Sequence, residues 1–244
     1  MATFILVHGS WHGGWSFDLL AARLAAAGHS VDAPTLPGMG GSEEELRAVT
    51  LDGWTDFIVA RCRAARERGQ GPVVLAGHSR GGIVITAAAE RDPEAMDALV
   101  YICAHMLPSG LSRADFAAQS PRNAAFAAIV SPTPGGAGTV VDPEGAHAVF
   151  AQLSPPEVTE SAAARLLAEP NAPRDTPVFT TPERWGKLPR TYVECTEDRV
   201  IPIADQRRQQ ALSPGARVVT LEADHSPFFS RPDELAAALI SAIP

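Results

Sequence analysis

The chain lacks most of what would mark it for nucleic acid, a membrane or a metal. Its 244 residues carry 20 Lys and Arg against 28 Asp and Glu, a formal charge of −8, so it offers no basic surface for a phosphate backbone. No apolar run is long enough to span a bilayer, and the amino terminus passes straight into Thr3-Phe4-Ile5-Leu6-Val7 without the basic region of a signal peptide. The cytoplasm is therefore the expected compartment. Three cysteines, Cys62, Cys103 and Cys195, are an odd number at wide spacing in apolar segments, which reads as reduced core residues rather than a disulfide framework. No cluster of His, Cys and acids has metal-ligand spacing, no cofactor is implied and there is no repeat array. The length accommodates one α/β domain, or a domain with an insertion, around a large core.

What is present is organised around Val73 to Gly82, VVLAGHSRGG. Val73-Val74-Leu75-Ala76 has the composition of a strand buried on both faces, and the apolar run from Gly81 to Ala89 that of a helix beginning at once after it. Between them Gly77-His78-Ser79-Arg80-Gly81 matches G-x-S-x-G, where the glycines let the chain turn sharply and lift the Ser79 hydroxyl clear of the sheet. The helix start directs backbone N–H groups to the same spot, which favours negative charge developing there. Ser79 is thus the candidate nucleophile.

Taken in order, Thr3–Val7 reads as a buried strand running into His8-Gly9-Ser10-Trp11-His12-Gly13-Gly14-Trp15. A glycine-rich loop of this kind sits at the carboxyl end of a strand, where a parallel sheet keeps its ligands. A helix closed by Gly28, a weaker strand at Ser30–Ala33 and an irregular stretch from Pro34 to Ser42 follow. Next come a helix marked by Leu51, Trp54, Ile58, Cys62 and Ala65, the Ser79 strand, and a strand at Ala98–Cys103. From His105 to Pro189 the composition changes: the segment holds 12 of the 21 prolines, helical pieces around Arg113–Val130 and Glu157–Ala168, and no convincing strand. So long a segment between two strands reads as an inserted helical cap over residues 105–189, with 1–104 and 190–244 forming the core. The core resumes with strands at Arg190–Cys195 and Arg217–Leu221, a helix over Ala204–Leu212 and a last helix over Pro232–Ile243. The expected class is α/β: a mostly parallel sheet flanked by helices, with an inserted helical cap.

A serine hydroxyl needs a base, and the base needs a carboxylate to fix its tautomer; after a G-x-S-x-G turn the order is serine, acid, histidine. His225 alone of the seven histidines follows a sheet strand late in the chain. Asp198, in the loop after Arg190–Cys195, is the matching acid, with Glu197 its nearest rival; Asp224 reads as support for the His225 loop. No carboxylate lies between Ala104 and Ala114, so the preceding strand offers no competitor. Backbone N–H groups of Ser10 and Arg80 are the candidate oxyanion donors. The Arg80 side chain is expected to turn out to solvent or to pair with a helix carboxylate.

These segments, together with Tyr101-Ile102-Cys103-Ala104-His105-Met106-Leu107-Pro108, Thr196-Glu197-Asp198 and Ala223-Asp224-His225 before Pro227-Phe228-Phe229, resemble the α/β-hydrolase superfamily. Within it they are most similar to the plant methylesterase and hydroxynitrile lyase group and its bacterial pyrethroid hydrolase-like relatives. The resemblance implies Ser79 as nucleophile, Asp198 as orienting acid, His225 as base and Ser10 and Arg80 as oxyanion donors. Arg80 departs from the apolar residue that usually follows the nucleophile, and Ser226 from the lysine of the lyases.

The expected activity is therefore that of a cofactor-independent serine carboxylesterase acting on small to medium apolar or aromatic esters. The alternatives are a cyanohydrin-cleaving C–C lyase on the same triad and a non-catalytic binding protein of the same fold. Trp11, His12, Phe150, Phe179, Trp185 and Phe228 are the candidate substrate contacts, although for any single aromatic among them a place in the core is the default reading. The expected partner is a small-molecule ester, with no nucleic acid or membrane; the oligomeric state is left open, a homodimer included.

Overall fold

The structure is a computed structural model that describes residues 1–69, 71–120 and 123–244. In chain order the core runs β1 (Thr3–Val7), α1 (Asp18–Ala26), β2 (Ser30–Asp32), α2 (Glu43–Ala48), α3 (Leu51–Glu67), β3 (Val73–His78), α4 (Gly81–Arg91) and β4 (Ala98–Ile102). Residues between 105 and 189 supply α5 (Arg113–Ala117), α6 (Ala124–Ile129), β5 (Val130–Pro132), β6 (Gly138–Val141), α7 (Pro143–Phe150), α8 (Pro156–Ala163), β7 (Glu169–Pro170) and α9 (Ala172–Asp175). The core then resumes with β8 (Arg190–Cys195), α10 (Ile203–Leu212), β9 (Ala216–Leu221), α11 (Pro227–Ser230) and α12 (Pro232–Ile240).

Six strands form one sheet in the order β2-β1-β3-β4-β8-β9, every pair parallel. β1, β3 and β4 are buried along their whole length, because helices cover both faces. On one face Ile5, Val7, Leu75, Leu99 and Tyr101 meet the apolar stripe of α3 at Trp54, Ile58 and Cys62. On the other, Phe4, Leu6, Val74, Val100 and Ile102 meet Leu20 and Leu24 of α1 and Leu235 and Leu239 of α12. Each such side chain fully removed from water contributes about 1.5–3 kcal/mol. All three cysteines are buried and free, and burial pushes the Cys62 thiol up to about 12.

β1 is followed to one side by β2 and β3 lies on its other side, so the crossover direction reverses between β1 and β3. A parallel sheet opens a crevice at such a point, at the carboxyl ends of the strands. The glycine-rich loop after β1 and the turn after β3 both fall there. β8 and β9 are neighbours in register, Cys195 opposite Leu221, so the loops that follow them also lie side by side.

Two expectations are corrected here. The 105–189 segment is not purely helical: β5, β6 and β7 form a three-stranded antiparallel sheet. The expected Arg113–Val130 helix is two short ones, α5 and α6, while Pro121 and Arg122 between them lie outside the described residues. The proline-rich stretch before residue 43 is also followed by an unanticipated helix, α2, closed at its start by a reciprocal Ser42–Glu45 capping box. Among the described residues no helix is long and apolar enough to cross a membrane.

Candidate active site

Ser79 sits between β3 and α4 with φ of 51°, a left-handed conformation that costs a non-glycine residue on the order of 1–3 kcal/mol. The turn is held by hydrogen bonds: Ser79 N donates to Ile102 O at 3.1 Å, and Ser79 O accepts from Gly82 N at 3.1 Å and His105 N at 3.0 Å. The flanking glycines are required by close approach. A Cβ on Gly77 would stand 2.6 Å from Gly81 O, and one on Gly81 would stand 2.4 Å from Val7 O.

Ser79, His225 and Asp198, predicted from three separate segments, come together. Ser79 Oγ lies 3.0 Å from His225 Nε2, and His225 Nδ1 lies 2.7 Å from Asp198 Oδ2. Asp198 Oδ1 accepts from the backbone N–H groups of Val200 at 2.7 Å and Ile201 at 2.9 Å, and Gln206 Nε2 donates to Oδ2 at 3.3 Å. With one imidazole nitrogen donating to that carboxylate, Nε2 is left free to accept the serine proton. Glu197, by contrast, is exposed. Asp224 is buried and holds the His225 loop: its oxygens accept from Ser226 N, Ser230 Oγ, Leu153 N and Ser154 Oγ.

A cavity of about 470 Å³ opens over these groups. Ser10 and three of the candidate substrate contacts, Trp11, His12 and Phe150, lie in its lining. Trp11 stacks on Phe150 with ring centroids 5.9 Å apart, and its indole N–H donates to Thr139 Oγ1 at 3.1 Å. Three other candidates are corrected. Phe179 is 71% exposed, lies beside Gly110 and is not among the residues that line the cavity. Trp185 donates to Tyr101 Oη at 2.8 Å and stacks under the Arg190 guanidinium, part of the core edge. Phe228 is buried beneath the site, packed edge-on to Phe17 and His78. Aromatic character alone did not say which face each would present.

Residues that sequence reasoning missed complete the lining. Phe116 and Phe126 add apolar wall, and His105, Arg113, Arg174 and Asp205 add polar groups. The Arg80 side chain is also corrected: it neither turns out to solvent nor pairs with a helix carboxylate but is buried at 1%, with Nε 2.7 Å from Glu169 Oε1 on β7. One terminal nitrogen of Arg80 donates to Gly9 O at 2.9 Å, its guanidinium covers Trp54 at 4.3 Å, and Ser10 Oγ donates to the same Glu169 oxygen at 2.9 Å. Burial lowers the Arg80 pKa, and the Glu169 charge opposes that shift.

The other histidines around the site are kept neutral. Burial, reinforced by the charge of neighbouring His225 or Arg113, takes His12 down to about 4 and His105 down to about 3, and holds His78 well below its ordinary value. Linear spacing gave no metal cluster. In three dimensions His78, Cys103 and His225 do place ligand atoms within 4.8 Å of one another, although both nitrogens of His225 are already engaged.

Comparison with known proteins identifies the family: the chain belongs to the alpha/beta hydrolase family, whose model matches residues 4–238, and it adopts that family's fold. It is 32% identical to a pyrethroid hydrolase of Sphingobium wenxiniae over 96% of this chain and 85% of that protein. To salicylic acid-binding protein 2 of Nicotiana tabacum it is 31% identical, over 97% of this chain and 95% of the other. The crystal structure of a pyrethroid hydrolase from Sphingobium faniae superposes with a TM-score of 0.85 at 30% identity, covering 99% and 97% of the two chains. Other relatives carry enzyme names, among them methyl jasmonate esterase 1 of Vitis vinifera, 29% identical over 97% of this chain and 94% of that protein, which with the pyrethroid hydrolases supports esterase activity here.

Proposed function

We propose that the protein is a serine carboxylesterase that hydrolyses small to medium esters with an apolar or aromatic part, through an acyl-enzyme. The observation that carries this is the unbroken chain of contacts from Ser79 Oγ through His225 to Asp198, at 3.0 and 2.7 Å. His225 Nε2 takes the Ser79 proton as Oγ attacks the carbonyl carbon, and the carbonyl oxygen becomes an oxyanion facing the Ser10 and Arg80 N–H groups. The proton then passes to the departing alkoxide, leaving Ser79 acylated. Water attacks the acyl group with His225 as base, and the carboxylate leaves as Ser79 regains its proton. Trp11, Phe116, Phe126 and Phe150, which border the cavity, supply an apolar wall for one portion of the ester.

In this reading residues 105–189 act as the cap that closes the site. The names of the relatives, a pyrethroid hydrolase and a methyl jasmonate esterase, direct the choice of substrates to assay. A panel of p-nitrophenyl, methyl and pyrethroid-type esters tests the proposal. Wild-type protein is expected to hydrolyse members of it, and Ser79→Ala to lose on the order of 10⁴-fold in kcat with an unchanged circular dichroism spectrum. Retention of a tenth of wild-type turnover in Ser79→Ala would overturn the mechanism.

A further inference from the structure

We propose that the cavity contains a carboxylate-binding subsite centred on Arg113, with Arg174 beside it, so that the preferred esters carry a second, free carboxylate group. The proposal rests on the esterase reading and names its substrate class.

Arg113 and Arg174 both border the cavity, on the part of its wall supplied by α5 and α9. Arg113 Nε is buried and has no hydrogen-bond partner among the described residues, and no ion pair involves Arg113 there. A guanidinium donor out of water and unpartnered costs free energy, so such groups are normally satisfied. The neighbouring charges cannot satisfy it. Arg174 contributes a second positive charge whose own Nε is taken by Asp175 Oδ1 at 3.2 Å, and one of its terminal nitrogens by Asn171 Oδ1 at 3.0 Å. Glu169 is committed to Arg80 and Ser10.

Asp205 also borders the cavity, where it accepts from Ser120 Oγ at 2.8 Å, and the lining itself keeps an excess of one positive charge: Arg113 and Arg174 against Asp205. Burial first, and then the charge of Arg174, lowers the Arg113 pKa; a bound anion would relieve both effects.

The position fits a substrate held at the nucleophile. Arg113 acts electrostatically on His105, whose backbone N–H bonds Ser79 O and whose Nδ1 is likewise buried without a partner among the described residues. A planar guanidinium takes a carboxylate through two parallel N–H bonds. With the aromatic wall on Trp11, Phe126 and Phe150, the cavity suits an ester that is apolar along its length and anionic at one end, such as a half-ester of a dicarboxylic acid.

The test compares p-nitrophenyl half-esters of succinate, glutarate and adipate with p-nitrophenyl esters of the matching monocarboxylic acids. The series varies the spacing between the ester carbonyl and the free carboxylate. Wild type is expected to prefer at least one half-ester in kcat/KM. Arg113→Gln should lower that preference ratio by about 10- to 100-fold, as for loss of a charge-assisted pair, Arg174→Gln should lower it less, and Arg113→Lys should retain part of it. Neutral esters turned over with no half-ester preference, or a ratio moved less than threefold by Arg113→Gln, would overturn the subsite while leaving the esterase reading intact. If no ester is turned over, the esterase reading fails, and the subsite is judged by calorimetry on Ser79→Ala. Tighter binding of monomethyl adipate than of methyl hexanoate, lost on adding Arg113→Gln, supports it; equal binding refutes it.

Discussion

The buried Arg80–Glu169 pair invites a decisive perturbation. Both side chains are 1% exposed and 2.7 Å apart, and Arg80 Nε makes no aligned hydrogen bond, so the contact is held chiefly by charge. Removing one charge of such a pair leaves the other desolvated and uncompensated, at a cost of about 3–5 kcal/mol, whereas replacing both by apolar groups is often neutral or stabilising. Glu169→Gln keeps the volume and an acceptor for Ser10 Oγ while deleting the countercharge. For a chain of this length it is expected to lower Tm by roughly 6–15 °C. Arg80→Leu should cost a similar amount, because the Glu169 carboxylate is then stranded. Arg80→Leu with Glu169→Leu should recover much of the loss, so that the cycle it forms with the single variants Arg80→Leu and Glu169→Leu is strongly non-additive.

Thermal and urea unfolding of wild type, Glu169→Gln, the two single leucine variants and their double mutant provide the measurement. Glu169 also accepts from Ser10 Oγ, next to the proposed oxyanion N–H, so in Glu169→Leu, which removes that acceptor, displacement of the loop should appear in kcat rather than KM, by up to about 10²-fold. A Glu169→Gln protein within about 0.5 kcal/mol of wild type, the ordinary range for surface changes, would refute the argument. So would a double mutant whose loss equals the sum of the two single losses.

Three further outcomes follow from the same geometry. Asp198→Asn should lower kcat by roughly 10³–10⁴ through the wrong His225 tautomer, while Glu197→Gln changes little; steady-state kinetics that reversed this order would move the acid by one residue. Burial holds four histidines below the ordinary value, His8 and His105 at about 3, His12 at about 4 and His78 well below it, so the unfolded chain binds more protons below pH 6.5. Their stability contribution is whole above that pH and is lost as pH falls, by about 1.4 kcal/mol each at pH 5.5; urea midpoints unchanged between pH 7.5 and 5.5 would contradict it. Mandelonitrile should not be cleaved above the uncatalysed rate, because the position after His225 is the buried, neutral Ser226; cyanide release that disappears in Ser79→Ala would overturn this.

The core and the Ser79, Asp198 and His225 constellation were legible because each rests on local signals. Buried strands read as apolar runs, α3 as a stripe at helical spacing, and the nucleophile as glycines at fixed offsets. The inserted segment was not legible for physical reasons that can be named. β5, β6 and β7 are three, four and two residues long, too short for alternation to register, and Pro132 and Pro170 within them read as breakers although strands at an edge tolerate proline. Capping did leave a trace at Ser42-x-x-Glu45, overlooked beside the irregular stretch before it. Nothing local could have paired Arg80 with Glu169, since a charge says only that it needs a partner. Aromatic content failed likewise at Phe179, Trp185 and Phe228, where the contacts that decide orientation come from distant elements.

The attachments of the inserted segment explain how chemistry and selectivity can be separated on this scaffold. Two buried carboxylates join it to the proposed triad: Glu169, which reaches the residue after the nucleophile, and Asp224, next to His225, which accepts from Leu153 N at 2.8 Å and Ser154 Oγ at 3.0 Å. Both anchors lie in one stretch, from α7 to β7. Arg113, Phe116 and Phe126, which border the cavity, lie on α5 and α6 outside that stretch. A change in those two short helices can therefore reshape the wall and its charge while Ser79, His225 and Asp198 keep their distances. The contacts of these two buried carboxylates hold the loops of the reacting groups, and α5 and α6 carry the groups through which, in the proposed reading, one ester is chosen over another.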